Sequence, residues 1–170
     1  MKFLDAYVGQ SVDELIASSA EYRIDSIVLA FEQALQEVAD SDGLAKLNEA
    51  ELTILAVEAL EREVNNGGYH QFFLNTPQYA SSVVSALQRI DCPKTAEISQ
   101  LAISLLGLRA PFTQDRVHEA LQQDPEGKLV EILVDRCDRR YDDTGEPIAD
   151  RLFAYIRTHR GSIRLRENPE

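Results

Sequence analysis

The three histidines are the side chains of this chain most able to do acid–base or metal chemistry near neutral pH. No two of them stand at the spacing of a metal-binding pair. The segment around His118 contains a His-Glu pair but lacks the second histidine of a zinc-binding His-Glu-x-x-His helix. We therefore predict that none ligates a metal; the three are His70, His118 and His159.

Neither the two cysteines nor a cluster of aspartates forms a metal-binding motif. Cys92 and Cys137 form no Cys-x-x-Cys pair, and a structural zinc site needs more ligands than two thiols supply. The aspartates resemble a calcium loop only faintly, because basic and aromatic residues interrupt the spacing that an EF-hand requires. They are Asp135, Asp138, Asp142 and Asp143. Since the chain also lacks a phosphate-cradling glycine loop and a nucleophile elbow, we predict no catalytic residue, no metal, no cofactor and no enzymatic activity.

Apolar residues recur at helical spacing through most of the chain. In the segment 21–39 they fall at every third or fourth position, which predicts an amphipathic helix. Asn48 followed by Glu51 has the form of a capping box, which predicts the start of the next helix. Three prolines stand where further helices would begin: Pro77, Pro93 and Pro147. We predict an all-α fold, a single-domain, non-repeat multi-helix bundle of about seven to nine helices.

Length and composition limit the organisation and the compartment. The chain has 170 residues, of which 44% are hydrophobic, enough for one domain to bury a core. We predict an N-terminal segment, 1–20, packing on a helical domain, 21–161, followed by a frayed polar tail, 162–170. Because the chain shows no signal peptide, no membrane-spanning run and no paired cysteines, we expect a cytoplasmic protein.

Negative charge is concentrated in the first 64 residues. The chain carries a net charge of −12, and residues 1–64, with 14 acidic and four basic residues, account for −10 of it. Such a field repels phosphates, which argues against unaided binding to nucleic acid or to an anionic membrane and favours a basic protein partner. Carboxylates three or four residues apart on a helix lie about 5–6 Å from each other. An acidic helix face can therefore imitate a row of phosphates.

Six acidic residues are the candidates for contacting such a partner. The alternative is that they form a solvated face that only keeps the protein soluble. The candidates are Glu21, Asp25, Glu32, Glu51, Glu58 and Glu61. Arginines in the C-terminal third either pair internally or form a separate basic patch: Arg136, Arg139, Arg140, Arg151, Arg157, Arg160, Arg164 and Arg166.

The most specific string in the chain is Asn-Asn-Gly-Gly-Tyr-His-Gln-Phe-Phe-Leu-Asn, residues 65–75. Its two glycines permit a tight reversal between helices, and its aromatic residues can anchor that reversal in the core. Its amide side chains can satisfy backbone groups left unpaired at helix ends. The alternative is a polar ligand pocket or an enzymatic site on the same turn, built from Asn66, His70, Gln71 and Asn75.

This string resembles the core motif of a bacterial all-helical family whose best-known member is a DNA-mimic protein. The matching positions are Asn66, Gly67, Gly68, Tyr69, Gln71, Phe72 and Asn75. The resemblance extends over about residues 21 to 160, the predicted helical DNA-mimic-like domain. It implies an all-α fold and, for at least one member, an acidic surface that occupies the DNA site of a DNA-binding transcription factor.

Together, the charge and the resemblance suggest a non-enzymatic acidic binding protein, a DNA mimic that occupies the DNA-binding surface of a basic regulator. It would bind neither nucleic acid nor membrane directly and would be a monomer or a homodimer. The alternatives are the site at the Asn-Asn-Gly-Gly turn, or a protein-interaction or immunity-type module that uses another face.

Overall fold

Helices make up the regular structure of this protein, as the hydrophobic spacing predicted. The structure is a computed structural model and describes residues 1–124 and 126–166. The only β-type pairing in these residues is an isolated bridge between Lys2 and Tyr22. The helices are α1 (Val12–Ala17), α2 (Ile24–Asp42), α3 (Glu49–Asn75), α4 (Val83–Arg89), α5 (Pro93–Leu105), α6 (Gln114–Gln122), α7 (Lys128–Leu133), α8 (Arg139–Asp142) and α9 (Ile148–His159). The all-α prediction is confirmed, and the number of helices lies in the predicted range.

Contacts along the chain divide it into two compact units. The first unit contains residues 1–58 together with the chain from Pro147 onward, and the second contains residues 59–146. Within the described residues, no helix is both long enough and apolar enough to span a membrane.

Helix α2 supplies the centre of the first unit. Its predicted stripe is buried, with Ile27, Phe31 and Leu35 fully inaccessible, and α9 packs against it. The helix begins at Ile24 rather than at Glu21, because the backbone just before it pairs with the N-terminus. The amide of Lys2 donates to the carbonyl of Glu21 at 3.0 Å, and the amide of Arg23, whose backbone is extended, donates to the carbonyl of Lys2 at 2.8 Å.

Two capping boxes begin helices in the first unit. The predicted box at α3 is confirmed: the amide of Asn48 donates to Glu51 at 2.8 Å, and the amide of Glu51 donates to Asn48 at 3.0 Å. A second box, between Ser11 and Glu14, begins α1. The sequence analysis missed it, although a serine followed three residues later by a glutamate is the usual signal.

The chain after α9 is held against the first unit, and we call residues 163–166 the C-terminal strap. Ile163 is buried. The guanidinium of Arg164 donates to Glu51, and that of Arg166 donates to Asp42. These described residues of the predicted tail are therefore docked rather than frayed, while residues 167–170 lie outside the described part.

The second unit contains the remainder of α3 and helices α4 to α8. Pro77 opens a short 3-10 turn, Pro77–Tyr79, rather than the α-helix that was predicted to begin there. Helices α7 and α8 are joined by a π-helical turn, Val134–Asp138, which has no signal in the sequence. This wider turn carries Cys137, which is buried, and Asp138, which is partly buried.

We predict that Glu51→Gln destabilises the protein by about 1–3 kcal/mol, because Arg164 loses a charged acceptor at an inaccessible site. A glutamine side chain still accepts the capping hydrogen bond from Asn48, so the loss of stability measures the contact to the C-terminal strap. The check is chemical denaturation at pH 7, with Glu37→Gln as the control because Glu37 is exposed on α2. Equal free energies of unfolding for the two variants would contradict this role for Glu51.

Candidate functional site

Three of the six acidic residues predicted to contact a partner are buried. Glu32 is 7% exposed, Glu51 is 1% exposed and Glu58 is 4% exposed. These side chains cannot meet a docked protein in this structure, so the six carboxylates do not form one exposed row. The three buried glutamates lie at the borders of wide apolar stripes, so they become buried when the hydrophobic residues of those stripes pack into the core.

The Glu51 carboxylate is fully used by the protein itself. It accepts the backbone amide of Arg164 at 2.9 Å in addition to the guanidinium contacts and the capping bond from Asn48. Burial by itself would raise the pKa of Glu51, but these donors offset burial and leave that pKa below its ordinary value. Glu51 is therefore an ionised structural hub of the first unit.

The other three predicted residues have different surroundings. Glu21 is exposed and lies 3.6 Å from the ammonium of Lys2. Asp25 is partly exposed, and hydrogen bonds from Arg23 lower its pKa. Glu61 is partly buried in the second unit, accepts a hydrogen bond from the Tyr141 hydroxyl, and has its pKa raised by burial to about 7. Only Glu21 and Asp25 of the predicted set are substantially open to a partner.

The glycines of the Asn-Gly-Gly motif break helix α3, as the predicted reversal required. Gly67 and Gly68 have non-helical backbone angles, and Gly68 has a φ of 75° that favours glycine. A Cβ on Gly68 would lie 2.3 Å from a carboxylate oxygen of Asp138, and one on Gly67 would lie 2.2 Å from the Gln71 side-chain oxygen. Gly68 therefore disfavours a larger residue by conformation and by close approach, whereas Gly67 does so only by its close approach to the Gln71 side chain.

Asp138 closes the kink from a distant part of the chain. Its carboxylate accepts the backbone amide of Tyr69 at 2.9 Å, an amide that the kink releases from ordinary helical pairing. Burial raises the pKa of Asp138, and the bond from Tyr69 opposes that rise. The sequence did not predict this contact, since nothing local to Asp138 indicates a partner 69 residues away.

The amide side chains of the motif hold a second buried carboxylate. Gln71 and Asn75 both donate to one oxygen of Glu63, at 2.9 and 2.8 Å, and Arg62 donates to the other. Glu63 is 6% exposed. Burial by itself would raise the pKa of Glu63, but these donors offset burial and leave that pKa below its ordinary value. The amide nitrogens of Gln71 and Asn75 are thus engaged within the protein rather than offered to a ligand.

The aromatic residues of the motif anchor the kink in the core of the second unit. Tyr69, Phe72 and Phe73 are fully inaccessible. The Tyr69 hydroxyl lies 2.8 Å from the Ser99 hydroxyl, and its ring meets the edge of Tyr141 with ring centres 6.1 Å apart. This packing explains the motif as a structural device that fixes a bend in α3.

The thiol beside the kink is not activated as a nucleophile. Burial raises the pKa of the Cys137 thiol to about 11, so the thiol stays protonated and weakly nucleophilic at neutral pH. The histidine of the motif, His70, is only partly exposed. In the described part of the chain, no group of three or more His, Cys, Asp or Glu side chains is arranged to hold a metal ion.

A different set of carboxylates is open to solvent at the C-terminal end of α2. Glu37, Asp40 and Asp42 are exposed, and we call them the acidic end of α2. The last turn of this helix contains no basic residue. The C-terminal end of a helix carries partial negative charge, so each of the two carboxylates in the last turn, Asp40 and Asp42, costs about 0.3–1 kcal/mol. None of these three residues was among the six acidic residues predicted to contact a partner.

Five of the eight arginines named in the C-terminal third make ion pairs within the protein, which favours internal pairing over a separate basic patch. Ion pairs within 4 Å join Arg139 to Asp135, Arg140 to Glu97, Arg160 to Asp13, Arg164 to Glu51 and Arg166 to Asp42. Arg157 instead lines a surface cleft beside α9.

We predict that Gly68→Ala destabilises the protein more than Gly43→Ala does. Both positions have a positive φ with an extended ψ, so each alanine carries a conformational cost of about 1–3 kcal/mol. Only at Gly68 does the new Cβ meet Asp138, because nothing lies within 4 Å of the corresponding position at Gly43. The Gly68 variant should lose at least about 1 kcal/mol more in chemical denaturation, and equal losses would contradict the proposed contact.

We predict that Glu61→Gln changes the pH dependence of stability. Burial raises the pKa of Glu61 from 4.5 to about 7, so the folded state holds a proton that the unfolded state has released between those values. The stability contributed by this proton is complete below pH 4.5 and is lost as pH rises towards 7, by about 1.4 kcal/mol per pH unit. The difference in unfolding free energy between wild type and variant should follow that slope. A difference that stays constant over this window would exclude the shifted pKa.

Comparison with known proteins adds one finding to this geometry. A family model described as DMP19-like protein matches residues 45–159, which include the whole kink motif and its Asp138 contact. No curated protein and no solved structure matches the chain. The family model covers more than half of the 170 residues and agrees with the resemblance drawn from the motif. The chain therefore belongs to the DMP19-like protein family.

Proposed function

We propose that this protein is an acidic binding protein whose exposed carboxylates dock on the DNA-binding surface of a basic protein. Membership of the DMP19-like family supports the proposal, since the best-known protein of the family that the motif resembles is a DNA mimic. The net charge of −12 supports it as well, because such a field attracts basic surfaces and speeds their association.

The observation that carries the proposal is the acidic end of α2. Asp40 and Asp42 stand in the last turn of α2, where the helix disfavours negative charge, and all three residues of the acidic end of α2 are exposed. Asp40 accepts a hydrogen bond from Gln36, and Asp42 accepts one from Arg166, but both contacts are exposed to solvent and add little stability. Residues that oppose a local stability rule for so small a structural return are often kept for function. Glu37 and Asp40 are three residues apart, so their carboxylates are neighbours on one face.

The partner we propose is a DNA-binding regulator, because its DNA site already presents arginine and lysine side chains spaced for phosphates. Glu21 and Asp25 of the predicted set remain candidates for the same contact. We exclude from this contact the three buried residues of the predicted set, Glu32, Glu51 and Glu58. The polar pocket considered at the kink is not proposed, because Gln71 and Asn75 hold Glu63.

The test compares two variants that each remove three negative charges. Glu37→Gln/Asp40→Asn/Asp42→Asn neutralises the acidic end of α2. Its control, Glu119→Gln/Glu131→Gln/Asp150→Asn, neutralises exposed acids elsewhere. A regulator isolated from the source organism on the immobilised wild-type protein is titrated with each variant by fluorescence anisotropy at low salt.

We expect the α2 variant to lose about tenfold in affinity, since three surface ion pairs of about 0.2–1 kcal/mol each disappear. The control variant should lose much less, and wild-type binding should weaken as salt is raised. Equal losses for the two variants would show that only net charge matters. Failure of any DNA-binding protein to bind the wild-type column would contradict the proposed function itself.

A further inference from the structure

The C-terminal strap presents basic side chains to carboxylates of the first unit. Arg164 is its anchor. Its backbone amide and Nε donate to one oxygen of Glu51 at 2.9 and 3.0 Å, and its Nη2 donates to the other oxygen at 3.0 Å. The same Nη2 reaches the carbonyl of Lys46 at 3.2 Å. Because Glu51 is inaccessible and Ile163 beside Arg164 is buried, this part of the strap is firmly held.

Arg166 makes a looser contact at the edge of the proposed docking surface. Its Nη2 donates to Asp42 at 2.9 Å, and both side chains remain 51% exposed. Its backbone carbonyl accepts the Tyr7 hydroxyl at 2.6 Å, so the backbone stays in place if the guanidinium leaves. A guanidinium on an exposed carboxylate of the acidic end of α2 is the contact that a basic partner would make there.

A surface cleft of about 350 Å³ lies at this contact. Its lining combines acidic groups, Asp42 and Glu51, with apolar groups, Val38 and Leu165, beside the basic residues of the strap. An arginine needs this combination, since its aliphatic stem packs on apolar surface while its guanidinium pairs with a carboxylate.

We propose that Arg166 occupies the site on Asp42 that the partner would use, and that an arginine of the basic partner displaces Arg166 from Asp42 and enters this cleft. This inference rests on the proposed function and adds a regulation to it. The partner can bind Asp42 only after Arg166 has left it. The strap therefore lowers the affinity of the acidic end of α2 for the partner in proportion to the fraction of molecules in which Asp42 is free. Arg164 and Ile163 keep the strap attached during the exchange.

The test uses a fluorescein-labelled peptide of nine arginines as the probe, titrated with the full-length protein at low salt. Arg166→Gln should bind the probe about two- to fivefold more tightly, which is the range for losing a competing ion pair between half-exposed groups. The matched control is Arg157→Gln, which removes the same charge from an exposed residue of α9 that has no ion pair among the described residues. The control should change the affinity by less than the Arg166 variant does.

The Asp42→Asn background separates local competition from net charge. In that background Arg166→Gln should lose its effect, because the carboxylate that it uncovers is gone. Equal effects of Arg166→Gln and Arg157→Gln, or an undiminished effect in the Asp42→Asn background, would overturn the strap inference. The proposed function is judged separately: it fails if neutralising Glu37, Asp40 and Asp42 leaves probe binding unchanged, whatever Arg166 does.

Discussion

The first unit depends on the satisfaction of one inaccessible carboxylate, that of Glu51. Its oxygens cap the start of α3 through Asn48 and hold the C-terminal strap through Arg164. A buried carboxylate left without such donors would cost several kcal/mol, so the cap and the strap must form together with the burial of α3. The second unit repeats the device, because Glu63 and Asp138 are satisfied by donors of the kink motif.

These contacts divide the acidic residues into two kinds that have the same formal charge. The buried kind, Glu51 and Glu63, is consumed by hydrogen bonds and fixes helix ends and the kink. The exposed kind, at the acidic end of α2, opposes the helix dipole and supports the proposal of a partner surface. The acidic end of α2 precedes the region 45–159 matched by the DMP19-like family model, so family membership alone does not supply that surface.

Helical periodicity and capping signals predicted the fold class, the capping box at Asn48 and the break at Gly67 and Gly68. These features depend on residues that are close together in the sequence. Local spacing did not predict which acids are exposed. Glu51 and Glu37 both lie on amphipathic helices, and tertiary packing, including the contact of Glu51 with Arg164, makes one buried and the other exposed. The contact of Asp138 with Tyr69 and the docking of Arg166 on Asp42 join distant parts of the chain, so no local pattern could indicate them.

The most direct test of the account is whether this protein and duplex DNA exclude each other on the same basic partner. A regulator captured by the protein is saturated with its labelled operator duplex, and the duplex is then challenged with unlabelled protein while the anisotropy of the duplex is followed at low salt. The account predicts competitive displacement, in which the duplex is released fully and the apparent affinity for the protein falls in proportion to the concentration of DNA. A stable ternary complex, with the duplex retained while the protein binds, would contradict it.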